Sequence, residues 1–295
     1  SGAVAIASHE DGSAIGTQMA LSAAAPTGAN IRPRGQDFTT CDALAPRLLR
    51  PNDLALLAAM NVATITVRRR PIVALIASGD ELVMPGEDPA ADQIIASNTF
   101  ALAAMIEAAG GEARMLPIAR DTTESLRSIF AMTAGADLIV TIGGASVGDH
   151  DLVGKVAGDL GLERAFWKIA MRPGKPLMAG RIMGVPMLGL PGNPVSAIVC
   201  GHLFLLPMLR AMLGLSDCAP PILRARLATD QPANGPRSHF MRARLTLTDG
   251  LPLITPFERQ DSALLSILTE ANALLIRPVS DAARRAGDLV EYIAI

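Results

Sequence analysis

The chain has 295 residues, 50% hydrophobic and 18% charged, with a formal net charge of -2 and a pI near 6.1. This composition supports one large or two to three modest cores, excludes a disordered chain, and argues against a general nucleic-acid or polyanion binder. Three cysteines without Cys-x-x-Cys spacing read as free thiols in a reducing compartment, and four histidines without a helical pair give zinc no site.

Residues 1 to about 37 carry short Ala/Gly-rich alternating stretches, Ala3–Ala7 and Thr17–Leu21, with turn signals at Asp11-Gly12 and Gly28-Ala29-Asn30. They form an expected small β module with little core of its own. A helix over Asn52–Met60 leads into an expected strand over Ala63–Val67, and both need a neighbour to pack on. Arg68-Arg69-Arg70 reads as a solvated strand end. From there strands are expected at Ile72–Ala77, Ala113–Ile118, Leu138–Ile142 and Val185–Leu190, alternating with helices that start near Ser97, Thr122, Asp151 and Asn193. Such alternation means right-handed crossovers and a mainly parallel sheet whose ligands gather outside the carboxyl ends of the strands. Ala219-Pro220-Pro221 marks a linker. Beyond it Ile222–Ala228, His239–Leu247, Leu251–Ile254, Ala273–Val279 and Leu289–Ile293 alternate around turns such as Asp249-Gly250, the pattern of a small antiparallel barrel or sandwich. The apolar stretch Val195–Leu213 is interrupted by His202, Pro207 and Arg210, and no charged-then-apolar segment opens the sequence, so a cytoplasmic protein without a membrane span is expected.

The segment Thr141-Ile142-Gly143-Gly144-Ala145-Ser146-Val147-Gly148-Asp149-His150-Asp151 follows an apolar run and reads as a buried strand feeding a backbone-exposed loop and a helix N-terminus. Open amides there suit an anion. Leu188-Gly189-Leu190 meets Pro191-Gly192-Asn193-Pro194-Val195-Ser196 in a second such turn, with Asn193 suited to the N-cap and Pro194 to the first helical position. Neither loop has the P-loop Lys-Ser/Thr or the dinucleotide Gly-x-Gly spacing, so the pair reads either as a cradle for a phosphate-rich ligand or as two tight turns. The strand ends also deliver Ser78-Gly79-Asp80-Glu81, Arg120-Asp121, Asp149 and Asp151. Acids from three loops on one rim call for a cation, and Mg²⁺ takes one or two carboxylates plus substrate phosphates. Asp80, Glu81, Asp121, Asp149 and Asp151 are the candidate metal ligands. Asp121 equally suits a helix cap, with Glu124 completing a capping box. Lys168, Arg172 and Lys175, the last within Pro173-Gly174-Lys175-Pro176, are cations spaced to converge on an oxyanion.

Gly143–Asp151, Phe166-Trp167-Lys168, Pro173–Pro176 and Gly189–Ala197, in this order, resemble the MoeA/gephyrin E-domain family, the molybdopterin molybdenumtransferases. The likeness extends to Asn30-Ile31-Arg32-Pro33-Arg34-Gly35-Gln36-Asp37 and to Ala286–Glu291. The resemblance implies an α/β protein whose central, mainly parallel, MogA-like molybdopterin-binding domain spans 71–216. A partial β "lever" module (1–37), a helix-strand remnant of the N-terminal domain (38–70) and a C-terminal antiparallel β-barrel (217–295) flank it. It implies insertion of molybdate into adenylylated molybdopterin with release of AMP and with Mg²⁺. Glu81, Asp121, Asp151, Lys168, Arg172 and Lys175 match catalytic positions. Gly143, Gly144, Ser146, Gly148, Pro191, Gly192, Asn193, Pro194, Ser196, Ser97, Asn98, Asp37 and Ser262 match substrate-binding ones.

Two departures stand out. Ala96-Ser97-Asn98-Thr99 replaces the Asp-Ser/Thr-Asn-Arg common in the family, losing an acid and a base, and Arg172 stands where Lys is common. The chain is also expected to begin inside the family's second domain, without the Met-Asp-Gly-Tyr-Ala segment that completes a partner's pocket across a homodimer. The resemblance therefore implies a homodimeric molybdenum-insertion enzyme or its ligand-binding portion, served by a molybdopterin adenylyltransferase. Adenylyl transfer itself and a non-catalytic molybdopterin-binding scaffold are the competing readings.

Overall fold

The apolar runs ending at Ala77, Ile142 and Leu190 are too uniformly hydrophobic for a strand with one wet face, and each is buried on both sides. They form the middle of a sheet in a computed structural model that describes residues 4–8, 10, 12–143 and 152–295. The chain divides into two units, Ser1–Thr66 and Val67–Ile295.

The first unit holds a hairpin, β1 (Gly12–Ile15) and β2 (Gln18–Leu21), and helix α1 (Pro51–Ala59). The expected strand Ala3–Ala7 is not one over its described residues, 4–7; Gly28 N donates to the Val4 carbonyl, Ile6 N to the Ala29 carbonyl and the Asn30 side-chain amide to the Ile6 carbonyl, so the segment is tied to the Gly28 turn without a strand ladder. Ala63–Val67 is no strand either: β-branched residues alone do not make one without a neighbour to pair with. In α1 the buried residue is Asp53, which accepts the Arg50 amide and guanidinium and so holds its own carboxyl below the usual range.

The second unit opens with β3 (Ile72–Ala77), the short parallel pair β4 (Leu82–Val83) and β5 (Ile94–Ile95), α2 (Asn98–Ala108), β6 (Glu112–Met115), α3 (Thr123–Ala131) and β7 (Leu138–Ile142). Then follow α4 (Leu152–Asp159), β8 (Glu163–Trp167), β9 (Met171–Arg172), β10 (Met178–Ile182), β11 (Val185–Leu190) and a helix running from α5 (Pro194–Cys200) through a π turn, Gly201–Leu205, into α6 (Leu206–Met212). The sheet order is β6-β3-β7-β11-β10-β8. The first four strands are parallel; β10 and β8 are antiparallel additions that the sequence reading passed over. One face buries Val73, Leu75, Val140 and Leu190 against α2, α5 and α6; the other buries Ile76, Ile139 and Met178 with Phe130 and Val156 of α3 and α4. Complete burial of side chains such as Leu75 and Ile76 contributes roughly 1.5–3 kcal/mol each. The 19-residue helix Pro194–Met212 is apolar enough to cross a membrane by length and composition, yet Ala197, Cys200, Leu205 and Leu209 go into this core. At the amino end of the sheet Arg69 pairs with Asp137, which also accepts the Ile72 amide and is thereby held below its ordinary pKa.

The remainder is β12 (Leu223–Leu227), β13 (Ser238–Thr246), β14 (Leu253–Pro256), α7 (Leu265–Glu270), β15 (Ala273–Arg277) and β16 (Leu289–Ala294). Strands β14-β12-β16-β15-β13 close on themselves through a β13–β14 pairing, giving a five-stranded barrel. One of its seams, β12–β14, is parallel and the rest are antiparallel. The short β9 leaves the neighbourhood of the sheet to pair with β13, placing Arg172 opposite His239.

Candidate active site at the carboxyl ends of the sheet

Strand order makes the site. Among the parallel strands β3 comes first in the chain and β6 second, yet β6 lies on one side of β3 and β7 on the other. The connections out of β3 and β7 therefore diverge, and a crevice opens between their carboxyl ends. A cleft of about 390 Å³ lies there, lined by Ser78, Glu81, Ser97, Asn98, Gly143, Pro176, Pro191, Gly192, Asn193, Pro194 and Ser196, with Leu82, Ile94, Ile95 and Ala96 as its apolar wall.

Backbone geometry fixes the rim. Gly143 has a φ of +86°, its amide donates to the Leu190 carbonyl at 3.1 Å, and an added Cβ would lie 3.0 Å from the Ser78 carbonyl oxygen. Only glycine meets both demands cheaply. Asn98 reaches from α2 to donate its amide to the Gly192 carbonyl at 2.6 Å, which binds the turn after β11 to the helix beside it. Its Oδ1 is buried and without a partner among the described residues, as is the hydroxyl of Ser78, a residue 5% exposed. Asn193 occupies the N-cap position of α5, but its side chain makes no cap bond; it donates to the Ser262 hydroxyl at 3.0 Å, while the Ser262 carbonyl accepts the Val195 amide. Ser262 thus buttresses the β11–α5 turn from the barrel side.

The expected acids are spread out. Glu81 lines the cleft, its carboxyl folded back over Gly79 so closely that a Cβ there would collide with it. Asp80 instead accepts the Asp121 amide at 3.1 Å, tying the turn after β3 to the loop before α3. Asp121 does not cap that helix: Thr122 does, its hydroxyl accepting the Ser125 amide. Arg120 spreads one guanidinium nitrogen over the Asp80 and Leu82 carbonyls at 3.2 and 3.1 Å. Among the described residues no three His, Cys, Asp or Glu side chains form a metal cluster, and Glu81 is the candidate carboxylate that lines the cleft. Gly144, Ser146, Gly148, Asp149 and Asp151 lie outside the described residues.

Of the three cations, Lys175 is next in the chain to a residue that lines the cleft. Pro176 lines it, and Lys175 precedes Pro176 in a turn where the Lys175 carbonyl accepts the Ile169 amide and Arg172-Pro173 is a cis peptide. Gly174 packs so closely on Cys200 that an added Cβ would lie 2.6 Å from its Sγ; burial pushes that thiol up to about 12, removing it as a nucleophile. Lys168 directly follows β8, with its ammonium over Trp167. Arg172 is drawn to the barrel by β9. Asp37 belongs to the first unit, where it lines a hollow of about 1340 Å³ with Arg32, Arg34 and Phe38. The residue that sequence reading left unassigned is Ser78. The available signal was its position, a hydroxyl ending an apolar strand immediately before a glycine.

Residues 74–211 match the model of a probable molybdopterin binding domain, and residues 224–295 match the MoeA C-terminal region, domain IV. A molybdopterin molybdenumtransferase of Nostoc sp. is 34% identical over 242 residues, covering 79% of this chain and 55% of that protein. Molybdopterin molybdenumtransferase 2 of Mycobacterium tuberculosis is 34% identical over 270 residues, 88% of this chain and 66% of its own length. The chain thus spans between half and two thirds of these curated relatives. The crystal structure of the molybdopterin biosynthesis MoeA protein from Pyrococcus horikoshii superposes with a TM-score of 0.77 at 28% identity, covering 98% of this chain and 71% of that one. Both matched regions occur in order along one chain, and the sheet and closed barrel that embody them are shared with that structure: the chain belongs to the MoeA family.

Proposed function

We propose that the chain acts in molybdenum cofactor biosynthesis, binding adenylylated molybdopterin in the cleft at the ends of β3, β7 and β11 and inserting molybdate into it with release of AMP. The observation that carries this reading is the cleft itself, with an apolar wall for a flat ring, open turns at Gly143 and Gly192, and unpartnered polar atoms at Ser78 and Asn98. Glu81, Ser97, Asn98, Pro191, Asn193, Pro194 and Ser196 hold the ligand in this reading. Lys168, Arg172 and Lys175 supply cations for the tetrahedral molybdate, and Asp121 shapes the rim through Asp80. Gly144, Ser146, Gly148, Asp149 and Asp151 are proposed ligand-binding or metal-binding residues on sequence grounds, as is Asp37 of the first unit, and Ser262 backs the Asn193 turn with its hydroxyl. Mg²⁺ belongs to the proposal as the companion of Glu81, with residues 149 and 151 as its further ligands.

A cytoplasmic homodimer supplied by a molybdopterin adenylyltransferase completes the reading. Adenylyl transfer by this chain is disfavoured because the matched C-terminal region accompanies the molybdopterin-binding one. Incubation with adenylylated molybdopterin, molybdate and Mg²⁺ is expected to release AMP, and Glu81→Ala is expected to slow that release by about 100-fold. Ligand binding without AMP release would replace the enzyme reading with that of a binding protein.

A further inference from the structure

Lys168 stands in a backbone conformation that side chains seldom adopt, with a φ of +67°. Its amide donates to the Leu177 carbonyl at 2.9 Å, and the neighbouring Ile169 amide donates to the Lys175 carbonyl at 3.1 Å, so the unusual backbone is clamped by the turn that carries Lys175. An over-determined outlier of this kind is where function is to be sought. The Lys168 Nζ lies 3.8 Å from the centroid of the Trp167 ring, and Arg164 Cζ lies 5.2 Å from the same centroid. Among the described residues no carboxylate pairs with Lys168. The ring is itself held: Trp167 is half-buried, stands across from Met178 in the β8–β10 register, and packs on the cluster that includes Val153, Met178 and Met187.

A lysine fixed by a carboxylate is neutralised at the place where an anion must bind. An aromatic face attracts the ammonium through its quadrupole and leaves the positive charge uncancelled. From this we infer that Trp167 is a positioning residue: its indole face holds the Lys168 ammonium in place for a tetrahedral oxyanion. The inference rests on the reading of Lys168 as a substrate-facing cation.

Trp167 is the only tryptophan, so its emission reports on the contact directly. Lys168→Met is expected to change the emission of the ligand-free chain and to weaken binding of inorganic molybdate. Trp167→Leu is expected to weaken molybdate binding about fivefold, while Trp167→Phe, which keeps an aromatic face, stays within about twofold of the unsubstituted chain. Unchanged emission in Lys168→Met would show that the contact does not exist in solution. Weak binding in Lys168→Met with full binding in Trp167→Leu would overturn the positioning role and leave the role of Lys168 standing. Full binding in Lys168→Met would remove both. Equal losses in Trp167→Phe and Trp167→Leu would assign the effect to packing and not to the ring face. Should Trp167→Leu fail to fold, molybdate added to the unsubstituted chain decides, because an oxyanion on Lys168 must alter the emission of the ring beneath it.

Discussion

In the barrel, Arg277 is 3% exposed and its guanidinium is held by three bonds: Nε donates to Asp281 at 2.6 Å and Nη2 to the Pro232 and Ala282 carbonyls at 2.9 Å. Arg242, 1% exposed, finds the Leu264 and Arg259 carbonyls. At the ligand end of the sheet the opposite holds. Ser78 Oγ, Asn98 Oδ1, Thr141 Oγ1 and Trp167 Nε1 are the buried side-chain atoms without a partner among the described residues, and all belong to the α/β part. A buried polar atom left unpaired costs stability, so a fold retains one where something outside the free chain completes it. The barrel has closed its polar accounts internally. Of the open atoms in the α/β part, those of Ser78 and Asn98 belong to residues that line one cleft.

The largest expected effect tests the barrel's half of this contrast. Asp281 accepts Arg277 and Arg284, and its side chain is 7% exposed. Asp281→Ala strands the Arg277 charge in the interior, at an expected loss of about 3–5 kcal/mol, measured by chemical denaturation. Acid acts in the same direction. Arg284 first and then Arg277 hold the Asp281 carboxyl below its ordinary pKa, so its contribution is present at neutral pH and is lost as pH falls through the depressed value. Burial, followed by the cations of Arg172, Arg277, Arg242 and Arg237, pushes His239 down from 6.5 to about 4. Across that window the unfolded chain takes up a proton that the folded chain refuses, and stability declines as pH drops. A barrel whose denaturation midpoint is flat between those pH values would contradict the assignment.

A smaller loss is expected at the sheet. Gly143→Ala places a side chain at a φ of +86° and drives a Cβ to 3.0 Å from the Ser78 carbonyl. It should cost about 1–3 kcal/mol in thermal or chemical denaturation and weaken AMP binding as well. If stability falls and AMP binding is untouched, the turn is a structural feature alone and the cleft lies elsewhere.

The parts of this contrast that could be read in the sequence are those written in local pattern. Leu138–Ile142 is apolar and β-branched apart from the Thr141 hydroxyl, and Gly143 stops it, so both the buried strand and the turn were visible. Asn193-Pro194 announced a helix start, although the Asn193 side chain is spent on Ser262, 69 positions away, and not on the cap. Glu163–Trp167 was hidden because its residues are mostly exposed on an edge strand and have no two-residue alternation of burial. Ala63–Val67 misled in the other direction, β-branched in composition and unpaired in the fold. The orphaned state of Ser78 was beyond sequence altogether. It depends on β7 lying beside β3, so that Ser78 N donates to the Ile142 carbonyl while no described residue reaches the hydroxyl.

The smallest effect is the sharpest, because it predicts a sign. Ser78→Ala deletes a buried hydroxyl that no described residue uses, so the substituted chain should be more stable by about 1 kcal/mol while binding AMP more weakly. Asn234 in the barrel is the control. Its side-chain amide donates to the Arg237, Arg277 and Pro278 carbonyls, and Asn234→Ala should destabilise by about 1–2 kcal/mol. The two substitutions remove comparable polar groups, and only their surroundings make the effects opposite. A stability loss in Ser78→Ala would mean that the hydroxyl is already satisfied in the free protein. A stability gain without any loss of AMP binding would mean that the open group at the end of β3 awaits something other than the nucleotide.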